Sequence, residues 1–157
     1  MKMKLLLVGK TVEKYLREGI SEYEERLRHY VTFSVEEIPE LRQASSLSRE
    51  QVKAREGEMI AARIKPSDFV ILLDERGSRY TSLGWARHLE QQISHNPRDI
   101  VFIVGGCYGF SQAIYDRADS KLSLSDMTFS HQLVRLIFME QIYRAFTIIH
   151  GEPYHHE

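Results

Sequence analysis

The stretch DIVFIVGGCYGFS, Asp99 to Ser111, carries the clearest fold signal in the chain. Its first half, Ile100 to Val104, is apolar at every position. A strand with one wet face alternates; a run without alternation belongs to a strand covered on both faces. Its second half holds Gly105, Gly106 and Gly109, an exit that lets the backbone turn sharply and approach a ligand. A second such run, Phe69 to Leu73 in DFVILLDERGS, ends in a turn. Buried strands with helical segments between them indicate an α/β domain with a mostly parallel sheet and helices on both faces.

The remaining elements extend this alternation in both directions. MKMKLLLVGK reads as an opening strand that ends at Gly9. From Thr11 to Tyr30 the apolar residues Val12, Leu16, Ile20, Tyr23 and Leu27 recur at helical spacing. VTFSVEEIPE alternates as a strand and stops at Pro39. A polar connection leads to a helix from Arg49 to Ile64, with Ser48 as its cap and Gln51 completing a capping box. SLGWARHLEQQISHN is a helix, QAIYDRAD a short helix and KLSLS a short strand. A long helix, Gln132 to Ile149, follows.

A length of 157 residues favours one domain spanning 1–157. Hydrophobic residues at 43% and charged residues at 27% are ordinary for a soluble globular chain. The single cysteine, Cys107, excludes an internal disulfide and fits a reducing cytoplasm. The opening apolar run, Leu5 to Val8, is too short for a signal peptide or membrane span. The formal net charge is −1, and neither half of the chain is strongly basic. A protein gripping nucleic acid mainly through phosphates needs a basic stripe. Any RNA-binding surface here must be local or assembled from more than one subunit.

Three strand ends stand out as ligand loops, since ligands of parallel sheets gather at the carboxyl ends of strands. They are Leu73 to Gly77, Gly105 to Phe110 and Leu124 to Ser130. The glycine loop approximates a dinucleotide fingerprint, and Asp126 falls near the expected acid. Yet position 104 is valine where the first glycine belongs, and the loop follows a late strand. Cys107 has no histidine or lysine beside it in sequence and reads as a small filler.

The C-terminal helix is apolar over most of its circumference, so it is either internal or shared with a partner subunit. A homodimer through this helix is expected. Arg135 falls in the middle of its densest apolar face, beside Phe138, Met139 and Ile142. A charge there must snorkel, pair or bind something: either a stem reaching water or an anion clamp. Arg144 lies on the more polar side as a surface or interface residue. His131 opens the helix, with Ser130 as its expected cap. The helix dipole disfavours protonated imidazole, leaving a neutral histidine able to act as a base or simply as a capping or core residue. Gly151 and Pro153 stop the helix and can fold Tyr154, His155 and His156 back over the domain. Adjacent histidines suit neither a helical ligand pair nor a zinc spacing, so no metal is expected.

Taken in order, KLLLVGK, EYEERL, VEEIP, EGEMI, VILLDERG, FIVGGCYG, LSLSDMTFSHQLVR, EQIYRAF and GEPYHHE span nearly the whole chain. Together they resemble the ribosomal large-subunit RNA methyltransferase H family. These are small bacterial SPOUT-type enzymes that methylate N3 of a pseudouridine in 23S ribosomal RNA with S-adenosylmethionine. The resemblance implies a trefoil knot at the C-terminal side, a rare exception to the rule against threaded chains. It also implies a homodimer and a cofactor held by three knot loops. Cofactor contacts would fall at Leu73, at Gly105, and at Leu124, Ser125, Asp126, Met127, Thr128 and Phe129. Where the family usually has proline before the histidine, this chain has Ser130, which caps better but does not fix φ. Asp126 makes the loop more polar than in some relatives.

The acceptor, a weakly acidic imide nitrogen, must lose a proton, and His131 is the first candidate for taking it. Tyr154 and His155 match the family's terminal PYH and are expected to bind the base or complete the site, across the dimer. Arg135 is expected to hold phosphate or polarise a uracil carbonyl. The near-neutral charge predicts weak binding of naked RNA, and the resemblance implies an assembled ribosomal particle as substrate, where shape and subunit contacts replace bulk charge. Two rival readings are a nicotinamide-dependent oxidoreductase using the glycine loop and a non-catalytic ribosome-binding module.

Overall fold

The computed structural model describes residues 1–156. Five strands form one sheet: β1 (Lys2–Val8), β2 (Thr32–Ile38), β3 (Phe69–Ser78), β4 (Ile100–Val104) and β5 (Ser120–Leu122). Their spatial order is β2-β1-β4-β3-β5, and every pair is parallel. The helices are α1 (Lys14–Leu27), α2 (Arg49–Ala61), α3 (Ser82–His95), α4 (Gln112–Arg117) and α5 (Leu133–Ile149), and a single 3-10 turn spans Ala44–Ser46.

The unbroken apolar strands have a direct explanation. Successive side chains point to opposite faces, and both faces are covered. Leu5, Leu7, Ile71, Ile100 and Phe102 enter a core shared with α1, α3 and α5. Leu6, Val8, Val70, Leu72, Val101 and Ile103 enter a second core against α2 and α4. On the larger side Phe102 and Phe138 pack with ring centroids 4.8 Å apart, which seats α5 on the middle of the sheet.

Local capping works as the sequence implies. Ser48 Oγ accepts from the Gln51 amide at 3.1 Å, and the Gln51 side chain accepts from the Ser48 amide at 2.8 Å. Thr81 and Ser111 cap α3 and α4 more simply, each side chain accepting from the amide three residues on, Gly84 and Ile114.

Several boundaries differ from expectation. Helix α1 begins at Lys14, not Thr11, because the Thr11 amide donates to Glu37 Oε2 at 2.5 Å and the Val12 amide to Gln132 Oε1 at 2.9 Å. Val12 is therefore 56% exposed and off the apolar stripe. Helix α2 ends at Ala61 and β5 at Leu122, each shorter than the apolar pattern implied. Strand β3 does not stop at Leu73; it continues to Ser78. Its pairing with β5 is interrupted, since both Leu73 and Ser78 register with Leu122. The intervening residues bow outward and return to the same neighbour. Among the described residues no helix is long and apolar enough to cross a membrane.

Arg135 follows neither reading of its position on the wheel. It is 0% exposed, so it does not snorkel, and its donors face three backbone carbonyls and one hydroxyl, not an open anion site. Nη2 donates to the Val8 carbonyl at 2.9 Å, and Nη1 to the Gly9 carbonyl at 2.9 Å and to Thr11 Oγ1 at 2.8 Å. Nε donates to the His131 carbonyl at 3.1 Å. Burial pulls this guanidinium below the usual arginine range, while Glu37 and Glu40 oppose the shift. Arg135→Met should therefore lower stability by more than about 3 kcal/mol in urea denaturation, because it orphans several buried acceptors at once. Arg135→Lys should recover only part of that loss, since an ammonium cannot span the same fork.

Candidate functional site

Beyond the carboxyl ends of β3, β4 and β5 lies a cleft of about 560 Å³. Its walls are the loop after Leu73, the glycine loop after Val104, and the chain from Leu122 to His131. The volume falls within the range usual for small-molecule pockets. Leu73, Leu122, Leu124, Phe129 and Val134 give it an apolar lining, with Asp74, Ser123 and Ser125 among the polar groups.

Each wall is shaped by a specific local constraint. In the glycine loop, Gly109 has φ +81°, a conformation that favours glycine. Its amide donates back to the Gly106 carbonyl at 3.2 Å, closing a tight return. A Cβ on Gly105 would lie 3.1 Å from the Phe110 ring, so the strand exit and that ring share one narrow space. In the third wall, Ser123 Oγ donates to the Ser125 carbonyl at 3.2 Å, and Ser125 Oγ accepts from the Met127 amide at 2.9 Å. This local turn leaves Met127 78% exposed at the mouth. In the first wall, the Tyr115 phenol donates to the Asp74 carboxylate, and burial first, then Asp74, pushes that phenol up.

Of the residues expected to touch a cofactor, Leu73, Gly105, Leu124, Ser125, Met127, Thr128 and Phe129 all line this cleft. Asp126 does not; it is exposed and paired with Arg79. His131 also lines the cleft, in the turn just before α5 instead of in its first turn. Ser130 still does a cap's work, since its Oγ accepts from the Leu133 amide at 3.0 Å.

Cys107 corrects the filler reading. Its exposed Sγ lies 3.8 Å from His131 Nδ1 and 3.9 Å from Nε2. Residues separated by two dozen positions meet only because β5 returns beside β3, so sequence adjacency held no sign of the contact. Tyr115 was missed as a lining residue, while Asp74 and Tyr108 fall inside the ligand loops selected from sequence without being singled out.

Tyr154 and His155 belong to a different cluster, on α5 facing α1. The Tyr154 ring packs edge-on against Tyr143 at 4.9 Å, and its hydroxyl donates to Glu140 Oε2 at 3.4 Å. The Arg144 guanidinium sits 4.9 Å over the Tyr154 ring, holds Glu140 through two bonds of 3.0 Å, and lies 2.9 Å from His155 Nδ1. Burial, then Tyr23 and Glu140, push the Tyr154 phenol well above its usual range, so it stays protonated and donates. Neither Tyr154 nor His155 lines the cleft of its own chain. Among the described residues no group of His, Cys, Asp and Glu side chains is placed to hold a metal ion.

Against known proteins, residues 1–155 match a family model described as "Predicted SPOUT methyltransferase". The chain is 50% identical over 157 residues to "Ribosomal RNA large subunit methyltransferase H" of Parabacteroides distasonis, covering 100% of both chains. The protein of that name from Bacteroides fragilis is 52% identical, again over 100% of both. That from Christiangramia forsetii is 48% identical over 99% of each.

The tightest constraint on the cleft is at Gly77. A Cβ there would stand 2.6 Å from the Leu122 amide nitrogen and from the Lys121 carbonyl carbon, both backbone atoms. Gly77→Ala should lower stability by more than about 2 kcal/mol, measured by chemical denaturation, because neither backbone can yield like a flexible side chain.

Proposed function

The chain belongs to the ribosomal RNA large subunit methyltransferase H family of SPOUT methyltransferases, and from that premise we propose its reaction. The protein methylates N3 of a pseudouridine in 23S ribosomal RNA, with S-adenosylmethionine as donor. The observation that carries this reading is the convergence of Leu73, Gly105 and the Leu124–Phe129 loop on one cleft with His131 at its edge. Nothing in the matched relatives favours a nicotinamide cofactor or a non-catalytic module.

The cleft fits the donor in size and in character. Apolar side chains face one another across it, and backbone of the glycine loop and of the Ser123–Ser130 chain forms the rest of the wall. Bound there, S-adenosylmethionine supplies an electrophilic methyl carbon. The protein supplies the remaining requirements, orientation and a route for the acceptor's proton. Orientation alone contributes up to roughly 7–11 kcal/mol in favourable systems. His131 takes the N3 proton, since imidazole is the usual proton acceptor near neutral pH. Arg135 acts as a positioning residue: it holds the His131 carbonyl and the end of β1, and reaches no substrate.

Tyr154 and His155 complete the site from the partner subunit of a homodimer built on α5. This reading explains why a protonated phenol, an imidazole and Arg144 are organised together outside the cleft of their own chain. The C-terminal knot is formed where β3 bows between Leu73 and Ser78 around the path of β5, and the close approach of Gly77 to Leu122 backbone supports it. The substrate is the assembled ribosome in the cytoplasm, consistent with a net charge of −1 that leaves little bulk attraction for free RNA.

His131→Ala should slow single-turnover methylation of unmodified ribosomes by roughly 100-fold or more while leaving cofactor affinity by calorimetry unchanged. Full methylation by that variant would eliminate His131 as the base. The composite site has its own test. His131→Ala and Tyr154→Ala homodimers should each be inactive, and their random mixture should regain about one quarter of wild-type activity, since half the dimers then carry one intact site. No recovery would place both residues in the same chain's site.

A further inference from the structure

A second cavity, of about 340 Å³, adjoins the cofactor cleft. It lies beyond the ends of β1 and β2, between the Glu40–Ser45 connection and α2. The two cavities share Gly106, Cys107, Tyr108 and His131. His131 therefore stands in the wall between them, open to both.

The smaller cavity contains an unusual carboxylate. Glu56, on α2, makes no hydrogen bond or ion pair among the described residues, and its Oε1 is buried without a partner. The only other buried side-chain atom in that condition among those residues is Gln92 Nε2, on α3. Glu56 reaches its place because position 106 has no side chain: a Cβ on Gly106 would stand 2.8 Å from Glu56 Oε2. Burial alone pushes this carboxyl above its usual range. A desolvated acceptor with nothing donating to it destabilises the fold that holds it. Such a group is expected where a ligand's donor completes it.

We propose that this cavity takes the acceptor base and that Glu56 receives the N1–H of pseudouridine. The proposal rests on the methyltransferase reading above and specifies its acceptor side. Pseudouridine is joined to ribose through carbon, so its ring keeps two N–H groups, the imide N3–H and an amide-like N1–H. Uridine is joined through N1 and keeps only N3–H. With N3 directed at His131 and the donor cleft, the free N1–H is the one feature that separates the two bases, and a carboxylate is the matching acceptor. Glu40 and Glu56 also make the wall acidic, which admits a neutral heterocycle and turns phosphate away. The RNA backbone then stays outside, near Arg49, whose guanidinium lies 5.1 Å over the Tyr108 ring.

The test compares ribosomes carrying pseudouridine with ribosomes carrying unconverted uridine at the target, using wild type, Glu56→Gln and Glu56→Leu. Wild type should prefer pseudouridine by at least about 100-fold in kcat/KM, as sites that hydrogen-bond a substrate N–H do. Glu56→Leu should reduce the preference below about 10-fold, by losing rate on pseudouridine and not on uridine. Glu56→Gln should retain part of it, because its amide oxygen still accepts. Cofactor affinity should be unchanged, and the Tm of Glu56→Leu unchanged or raised. An undiminished preference in Glu56→Leu, or equal losses on both ribosomes with a lowered Tm, would overturn the proposal and leave a structural glutamate. Equal wild-type rates on both ribosomes would reject this inference alone. A wild-type enzyme that methylates neither at N3 would remove the parent reading and this one with it.

Discussion

Arg135 joins the beginning of α5 to the end of β1 through a single planar group. Val8 is the last residue of β1 and Gly9 follows it, so their carbonyls lie where the strand ends. The guanidinium meets both, together with Thr11 Oγ1 and the His131 carbonyl. A buried cation is tolerated when it is well hydrogen-bonded, and here three of its four partners are backbone carbonyls that themselves need donors. One side chain thus resolves two problems of burial. It also fixes where the last helix begins, and so where His131 stands relative to the glycine loop.

From that anchor the arrangement of the site follows from sheet geometry. All strands are parallel, so all their carboxyl ends lie along one edge, and the loops there carry whatever chemistry the domain performs. Two cavities share that edge. One is bounded by β3, β4 and β5, the other by β1, β2 and α2, and the glycine loop with His131 divides them. The aromatic and charged cluster of Tyr143, Arg144, Tyr154 and His155 lies apart, on the face of α5 that packs toward α1. Neither Tyr154 nor His155 lines either cavity of its own chain.

Much of this was readable in order of residues. The apolar runs of β3 and β4 implied a doubly covered sheet, Ser48 with Gln51 implied the start of α2, and the strand-end rule selected all three walls of the cleft. What escaped was contact between residues distant in sequence. Cys107 looked isolated because its partner His131 lies across the sheet edge. Arg135 looked like a snorkelling stem or an anion clamp because a helical wheel shows a residue's own helix and not the strand end opposite it. Glu56 entered only as the first residue of the EGEMI match and drew no role, since burial of one carboxylate oxygen is invisible in a pattern of residue types.

Sequence alone determined the α/β class, the strand and helix order, the Ser48 cap of α2 and the family, because these rest on local periodicity, local hydrogen bonding and near-complete similarity along the chain. Tertiary structure decided the strand order β2-β1-β4-β3-β5, the extension of β3 to Ser78, and the partners of Arg135, Cys107 and Glu56. Those outcomes depend on which surfaces meet after the sheet assembles. Pairing and burial between distant segments are set by three-dimensional packing, and no residue's neighbours in the chain specify them.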